Sequence, residues 1–202
     1  MSAECDYHGE ERRMMFRRIC VGILVLIVVI LFVILVIWAV LQPKKPSFVL
    51  QDATIYAFNQ SSPNLLTSTF QVTLASRNPN KRIGIYYDRL NIFATYRDQQ
   101  ITVSTGIQPT YQGHKEVDIW SPFLYGREVP ISPYNSIALP QDKAAGAVWI
   151  TVKADGRVRF KVGSFVTGRY HLFVKCKTYI RFGNGGNYGI KLINIQSCKV
   201  HV

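Results

Sequence analysis

The chain has 202 residues and a formal net charge of +12, with 24 lysines and arginines against 12 acidic residues. The four arginines before residue 19 are balanced by four acidic residues, so the whole excess follows the apolar run at residues 19–41. A basic chain favours nucleic acid, an anionic membrane or an acidic polymer as its partner. About 160 residues follow the apolar run, which suits one compact domain and not two.

The apolar run at residues 19–41 contains no charged residue and no proline. About 20 apolar residues in a helix cross a hydrocarbon core about 30 Å thick. A buried helix of a soluble protein would keep a polar stripe, which this run lacks. A cleaved signal peptide has a shorter apolar region and a small-residue cleavage site, which Trp38 and Gln42-Pro43 do not provide. We predict an uncleaved transmembrane signal anchor.

The residues that flank the apolar run predict its orientation. Four arginines precede it and two lysines follow it: Arg12, Arg13, Arg17, Arg18, Lys44 and Lys45. Because Lys and Arg collect on the cytosolic side, residues 1–18 should be a cytosolic tail, which we expect to be disordered. Residues 42–202 should then be extracellular or lumenal. This placement excludes nucleic acid as an ordinary partner and leaves acidic polysaccharide or lipid headgroups.

Cysteines and one asparagine suggest covalent modification on both sides of the membrane. Cys20, at the membrane edge, is either a candidate S-acylation site or an ordinary apolar residue. Cys176 and Cys198 are the only cysteines on the oxidising side, so we expect them to form a disulfide. Such a bridge is worth about 3 kcal/mol for a loop of about twenty residues. Asn59 begins an Asn-x-Ser sequon, which predicts N-glycosylation.

Past Pro46 the sequence consists of short runs rich in β-branched and aromatic residues, separated by Pro, Gly, Asn and Asp. This pattern predicts an antiparallel all-β sandwich, and we expect no amphipathic helix in it. The predicted strands lie near residues 47–58, 66–76, 85–96, 99–104, 114–120, 147–153, 157–163, 170–180 and 190–201. We expect residues 182–189 to form the last connecting turn, and Cys176 to point into the core.

Alternation within the later strands predicts a basic ridge. Arg157, Arg159 and Lys161 alternate with apolar residues, so a regular strand would present all three cations on one face. The ridge is either an ordinary solvated face or a site for acidic polysaccharide or anionic lipid headgroups. The strands at 147–153 and 157–163 are expected to form a hairpin through residues 154–156, or to lie in opposite sheets.

The sequence carries no pattern of an enzyme or a metal site. The histidines are scattered, and neither an HExxH motif nor a Cys-His cluster is present. A G-x-S-x-G nucleophile motif is also absent. The few carboxylates after the anchor are expected at strand ends and turns. We therefore expect no catalytic residue, no metal and no cofactor.

Three blocks carry a family resemblance: RNPNKRIGIYYD at residues 77–88, PTYQGHK at residues 109–115 and ADGRVRFKVG at residues 154–163. Together with the short basic tail, the single span and the late cysteines, they resemble the plant late-embryogenesis-abundant type 2 family in its membrane-anchored branch. That branch comprises harpin-induced-like and non-race-specific-disease-resistance-like proteins. Within the first block we interpret the motif residues as structural: Asn78, Pro79, Asn80, Tyr86 and Tyr87.

The resemblance implies a sandwich like fibronectin type III or immunoglobulin domains, plasma-membrane placement and roles in pathogen defence, senescence and stress. It implies no catalytic residue. Our leading hypothesis is a non-catalytic plasma-membrane protein that acts through contacts of its outer domain with membrane or wall proteins, or with acidic polysaccharide. The alternatives are a membrane-tethered carrier of lipid or a small apolar ligand, and a wall-modifying enzyme.

Overall fold

The computed structural model describes residues 4–41, 43–181 and 196–202. The chain divides into two compact units, Met1–Pro43 and Lys44–Val202. The predicted turn at residues 182–189 and the first part of the predicted last strand, residues 190–195, lie outside the described residues.

The first unit is built on one helix, α1, which runs from Glu4 to Leu41. Its section Arg13–Ile37 is long and apolar enough to cross a membrane. Apolar side chains are exposed on all sides of this section. A helix that is apolar all round needs an apolar surrounding, so α1 is compatible with single-pass membrane anchoring.

The disordered tail expected over residues 1–18 is wrong from Glu4 onward, because α1 begins there. Once the apolar run has nucleated a helix, each added residue gains a backbone hydrogen bond, so good helix formers extend it. Glu, Arg and Met are good helix formers and make up most of residues 10–18.

The second unit contains thirteen strands and one helix among its described residues. In chain order they are β1 Ser47–Ser62, β2 Leu65–Arg77, β3 Ile83–Tyr96, β4 Gln99–Gln100, β5 Thr105–Ile107, β6 Thr110–Gln112, β7 Val117–Trp120, β8 Phe123–Pro130, α2 Pro133–Ala144, β9 Ala147–Val162, β10 Phe165–Val166, β11 Tyr170–Arg181, β12 Gln196–Ser197 and β13 Lys199–His201.

These strands form two antiparallel sheets. The smaller sheet has five strands in the order β12-β1-β2-β7, and β8 also pairs with β2. The larger sheet has eight strands in the order β13-β11-β9-β3-β4. In addition, β5 and β6 pair with β3, and β10 pairs with β9. The predicted all-β sandwich is confirmed.

The core lies between the sheets and follows the two-residue period of the strands. On β2, Phe70, Val72 and Leu74 are buried while the residues between them face outward or lie at the margin. On β9, Val148 and Val158 are fully buried. Since successive side chains of a strand point to opposite faces, this alternation fixes which face of each sheet is buried.

The predicted turn at residues 154–156 is wrong, because β9 continues from Ala147 to Val162 without interruption. Both neighbours, β3 and β11, pair with β9 through this stretch, and they bury Ala154 and Gly156. Glycine is needed here because the backbones of β9 and β3 approach each other closely. A Cβ at Gly156 would collide with the carbonyl oxygen of Arg89. That carbonyl belongs to a bulge in β3 between Tyr87 and Arg89.

Five elements were not predicted: the strands β5, β6, β8 and β10 and the helix α2. Helix α2 begins after Ser132, whose Oγ accepts a hydrogen bond from the backbone N–H of Asn135 over 3.3 Å. Pro133 occupies the first turn, where its fixed φ and missing N–H cost nothing. Pro140 inside the helix argues against a helix from sequence. The Ser-Pro pair at 132–133 was the start signal that would have identified it.

Candidate functional site

The three sequence blocks come together as neighbouring strands of the larger sheet. The first block supplies the start of β3, the second contains β6, and the third is the second half of β9. In the register of the sheet, Tyr86 lies opposite Tyr111 on one side and opposite Arg159 on the other. Segments up to about 70 residues apart in sequence therefore form one structural site, with an inner and an outer face.

On the inner face, a closed ring of hydrogen bonds joins β2, β3 and β6. The Ser76 hydroxyl donates to the Tyr87 oxygen over 2.8 Å, and the Tyr87 hydroxyl donates to Gln112 Oε1 over 3.1 Å. Gln112 Nε2 then donates to the backbone oxygen of Ser76 over 2.8 Å. All three side chains are buried, and burial raises the pKa of the Tyr87 phenol. The ring fixes β6 against the core, so Tyr87 is a structural residue.

The Asn78-Pro79-Asn80 motif forms a buried clasp beside this ring. Asn78 Nδ2 donates to the carbonyl oxygens of Ile83 over 2.7 Å and Gly113 over 2.9 Å. Its Oδ1 accepts hydrogen bonds from the backbone and side-chain nitrogens of Asn80, both over 3.0 Å. The two asparagines are 0% and 4% exposed. Their side chains thus supply hydrogen bonds to backbone groups of several segments that have no neighbouring strand on that side.

Asn80 also binds the segment that follows α1. Its Oδ1 accepts from the Lys44 backbone N–H over 2.8 Å, and its Nδ2 donates to the Lys44 carbonyl over 2.7 Å. The backbone N–H of Lys115 donates to the Asn80 carbonyl over 3.2 Å. The clasp therefore ties the start of the domain to the turn that follows β6.

On the outer face, two tyrosines and two cations form a continuous surface, which we call the tyrosine–cation surface: Tyr86, Tyr111, Arg159 and Lys161. The tyrosine ring centroids lie 4.5 Å apart. The Arg159 guanidinium lies 5.4 Å from the Tyr86 centroid, and the Lys161 ammonium lies 5.6 Å from the Tyr111 centroid. These distances fit cation–π contacts, which hold the flexible cations in place.

An ion pair supports the surface from the side of the β3 bulge. Arg159 Nε lies 2.8 Å from Asp88 Oδ2, and Arg159 Nη2 lies 2.6 Å from Oδ1. The Arg159 hydrogen bonds hold the pKa of the Asp88 carboxyl below its ordinary value. Arg169, whose Nε lies 3.5 Å from Oδ2, acts in the same direction. Asp88 is therefore bound by two cations.

The predicted basic ridge is only partly available to a ligand. The alternation of β9, which pairs with β3 along this stretch, places Arg157, Arg159 and Lys161 on the outer face together. However, Arg159 is occupied by Asp88, and Lys161 lies over a tyrosine ring. Arg157 is exposed. The ridge thus presents one exposed and two partnered cations, because the bulge in β3 brings a carboxylate beside the strand.

Sequence reasoning did not assign Asp88, Tyr111 or Gln112 to the site. All three lie within the family blocks, but their roles depend on which strands are neighbours. The alternation of Tyr111 and Gln112 between the outer and inner faces was a usable signal in the short strand β6. The contact of Asp88 with Arg159 depends on the bulge, which no pattern in the sequence indicates.

The predicted modification residues lie outside this site. Asn59 is exposed on β1, and Ser61 of the same sequon is also exposed. Cys20 is an exposed free thiol on α1. Cys176 and Cys198 are joined in a disulfide, with their Cα atoms 4.4 Å apart, and Cys176 is 1% exposed and faces the core.

Two acidic residues away from this surface are paired with cations. Asp98 pairs with Lys153 over 2.9 Å, and Asp142 pairs with Arg97 over 3.1 Å. Within residues 4–41, 43–181 and 196–202, no cluster of three or more His, Cys, Asp or Glu is placed to hold a metal ion.

Comparison with known proteins identifies the family. The model of the late embryogenesis abundant protein family LEA_2 matches residues 73–177, which contain all three blocks. NDR1/HIN1-like protein 1 of Arabidopsis thaliana is 58% identical, and the match covers 98% of this chain and 99% of that protein. NDR1/HIN1-like protein 12 of the same plant is 54% identical over 98% of each chain.

NDR1/HIN1-like protein 26, also from Arabidopsis thaliana, is 40% identical, and the match covers 76% of this chain and 73% of that protein. These relatives indicate a plant protein related to defence and stress. The chain belongs to the late-embryogenesis-abundant type 2 family and, within it, to the NDR1/HIN1-like group.

Proposed function

We propose that this chain is a non-catalytic, single-pass plasma-membrane protein that acts in plant defence and in stress or senescence signalling. In this proposal the N-terminus is cytosolic, and the β-sandwich contacts membrane or wall proteins outside the cell. The observation that carries the proposal is the tyrosine–cation surface. It is built from the three blocks that mark the family, and Tyr111 is 42% exposed on it.

The chemistry of this surface suits binding to another macromolecule. Tyrosine and arginine are enriched at protein interfaces because they offer large contact areas with polar ends. Here the ion pair with Asp88 and the ring contacts already hold Arg159 in place. A preorganised surface loses less conformational entropy when a partner binds.

A non-catalytic role is supported by the state of the acidic residues. A hydrolase of the glycosidase type needs two carboxylates that face each other across the substrate. Asp88, Asp98 and Asp142 are each engaged by a cation instead. Such pairs orient side chains and support the fold, so these three carboxylates are not poised as a general acid or base.

The test is proximity labelling from a tag on the outer domain in intact plant cells. We would compare the wild type with the double variant Tyr111→Ala/Lys161→Glu. The matched control, Tyr125→Ala/Lys177→Glu, makes the same changes at exposed positions away from the site. Membrane and wall proteins labelled by the wild type and by the control should be lost from the double variant. Equal labelling by all three would contradict this binding surface.

Acidic polysaccharide is the second proposed partner of the same face. The variant Arg157→Glu/Lys161→Glu leaves the Arg159–Asp88 pair intact and reverses the other two ridge charges. We expect the wild type to be retained on a polygalacturonate column at low salt, with retention falling as the Debye length shrinks from about 10 Å at 0.1 M to about 3 Å at 1 M. Equal retention of the folded variant and the wild type would show that the ridge is only a solvated face of the strand.

A further inference from the structure

A hairpin tip with an exposed aromatic residue projects from the larger sheet. Strands β9 and β10 are joined by Gly163-Ser164, and Gly163 has a φ of 58°, a region that glycine adopts without strain. Phe165 is 83% exposed, and Val166 is 44% exposed. Within the described domain, no other large apolar side chain is as exposed as Phe165.

The tip is a well-held projection. The Thr167 backbone N–H donates to the Phe160 carbonyl over 2.9 Å, and the Phe160 backbone N–H donates to the Thr167 hydroxyl over 3.0 Å. These bonds close the hairpin just behind the exposed pair. An ordered tip that exposes two neighbouring apolar side chains offers a surface for interaction.

The register of the sheet places this tip at the same end of the domain as the clasp. Phe165 pairs with Val162, and Val162 pairs on its other side with Ile83. Adjacent strands lie about 4.8 Å apart, so Phe165 and Ile83 are about 10 Å apart across the sheet. Ile83 begins β3 just after the clasp residue Asn80, so the tip and the clasp share one end of the sandwich.

Chain length brings that end close to the membrane. Lys44 follows the last residue of α1, Leu41, by three positions, and three extended residues span at most about 11 Å. Lys44 is hydrogen-bonded to Asn80, so the clasp binds a residue that follows α1 by only three positions in the sequence. If α1 spans the bilayer, the clasp end of the sandwich lies at the headgroup layer.

The same end carries exposed cations. Lys81 and Arg82 lie between the clasp and β3, and Lys115 lies in the turn bound to Asn80. Among the residues that the structure describes, none of the three forms an ion pair. The nearby acid, Glu116, accepts a hydrogen bond from the Gly113 backbone over 2.5 Å. The balance of charge at this end is positive, which suits lipid phosphates.

We propose that this end of the sandwich docks on the bilayer that holds the anchor. Phe165 and Val166 enter the boundary between headgroups and acyl chains, while Lys81 and Arg82 contact lipid phosphates. An exposed aromatic residue beside basic residues is the pattern of interfacial membrane binding. Docking would hold the tyrosine–cation surface at a fixed height above the membrane. This inference rests on the proposed membrane anchoring.

The test uses the full chain reconstituted in vesicles that contain phospholipids brominated on the acyl chains. In chains whose own tryptophans, Trp38, Trp120 and Trp149, are replaced by Phe, Phe165→Trp reports on the tip and Tyr125→Trp reports on an exposed position of the smaller sheet. We expect the tryptophan added at position 165 to show blue-shifted emission and bromine quenching several times stronger than the one at position 125. Equal, weak quenching at both positions would overturn the docking proposal.

Two further measurements separate the possible failures. A separate chain that keeps Trp38, in the apolar run, as its one tryptophan should be quenched when the anchor is inserted. Absent Trp38 quenching would reject the anchoring, whereas quenching of Trp38 but not of position 165 would reject only the docking. Adding Lys81→Glu/Arg82→Glu to the Phe165→Trp variant should weaken quenching at low salt. Unchanged quenching would overturn the role of these two cations.

Discussion

The side chain of Asn80 and the backbone of Lys44 form two reciprocal hydrogen bonds, of 2.8 Å and 2.7 Å. The amide of Asn80 thereby takes the place of a neighbouring strand for a residue that precedes β1. Both amide functions are needed, since one atom accepts and the other donates. The second asparagine of the family motif thus fixes where the domain begins.

Asn80→Asp should destabilise the domain by about 1–3 kcal/mol, because it replaces a buried donor with an acceptor that faces the Lys44 carbonyl and Asn78 Oδ1. Chemical denaturation of the full chain in detergent, monitored for the β-domain, would measure this loss. Asn64→Asp makes the same change at an exposed turn position and should have little effect. Equal stability of the two variants would contradict the role of the clasp.

Gly156 should tolerate no side chain. A Cβ there would collide with the backbone carbonyl of Arg89, and a backbone atom cannot move away as a side chain can. We expect Gly156→Ala to lower the unfolding free energy by about 1–3 kcal/mol. Gly168→Ala, where a Cβ meets nothing within 4 Å, should leave stability unchanged or slightly raised. A neutral Gly156→Ala would mean that the bulge in β3 is not rigid.

Gly156 also illustrates what the sequence could and could not predict. The alternation of Phe70, Val72 and Leu74 correctly predicted a buried face, because burial on one face of a strand imposes a period of two. The Asp155-Gly156 pair, however, is a turn signal on local grounds. Its true role depends on a bulge in a strand more than 60 residues earlier, which local patterns do not contain.

The site was predictable only in its parts. The family blocks contain most of its residues, but their convergence depends on the strand order β6-β3-β9. Helix α2 was missed for a different reason: Pro140 weighs against a helix locally, whereas the buried contacts of Ala138 and Leu139 stabilise one. Tertiary packing overrode local propensity there.

Acid should weaken the Asp88–Arg159 pair. The folded-state pKa of Asp88 lies below its ordinary value of 3.8, so the unfolded chain binds the proton more readily. The contribution of the pair to stability is therefore complete above the ordinary pKa and is lost as the pH falls through the folded-state pKa. Asp88→Asn removes this contribution at neutral pH.

The stability difference between wild type and Asp88→Asn should accordingly be largest above about pH 5 and should shrink toward pH 2. Denaturation midpoints measured across this range would test it. Glu128→Gln removes an exposed carboxyl that makes no ion pair in the described part of the chain and should leave the profile unchanged. A difference that stays constant down to pH 2 would be incompatible with a lowered Asp88 pKa.

The disulfide fastens to β11 a C-terminal segment whose two strands pair with different sheets. Cys198 lies between β12, which pairs with β1, and β13, which pairs with β11. We expect Cys198→Ser to lower the melting temperature of the domain under oxidising conditions, by an amount equivalent to about 3 kcal/mol for a loop of this size. Under strong reductant the variant and the wild type should melt alike. Peptide mass mapping that finds both thiols free in native protein would contradict the bridge.

Glycosylation of Asn59 would report the topology of the whole chain. The residue is exposed on β1, and an oligosaccharyl transferase acts only on the lumenal side of the secretory pathway. If the arginines before the anchor hold the N-terminus in the cytosol, the sequon is lumenal, and glycosidase treatment should increase the electrophoretic mobility of the protein. Asn59→Gln should abolish the shift, whereas Asn64→Gln, outside any sequon, should retain it.

An antibody against a C-terminal tag should bind intact protoplasts. A tag that is reached only after permeabilisation, together with an unglycosylated chain, would reverse the orientation and place the tyrosine–cation surface in the cytosol.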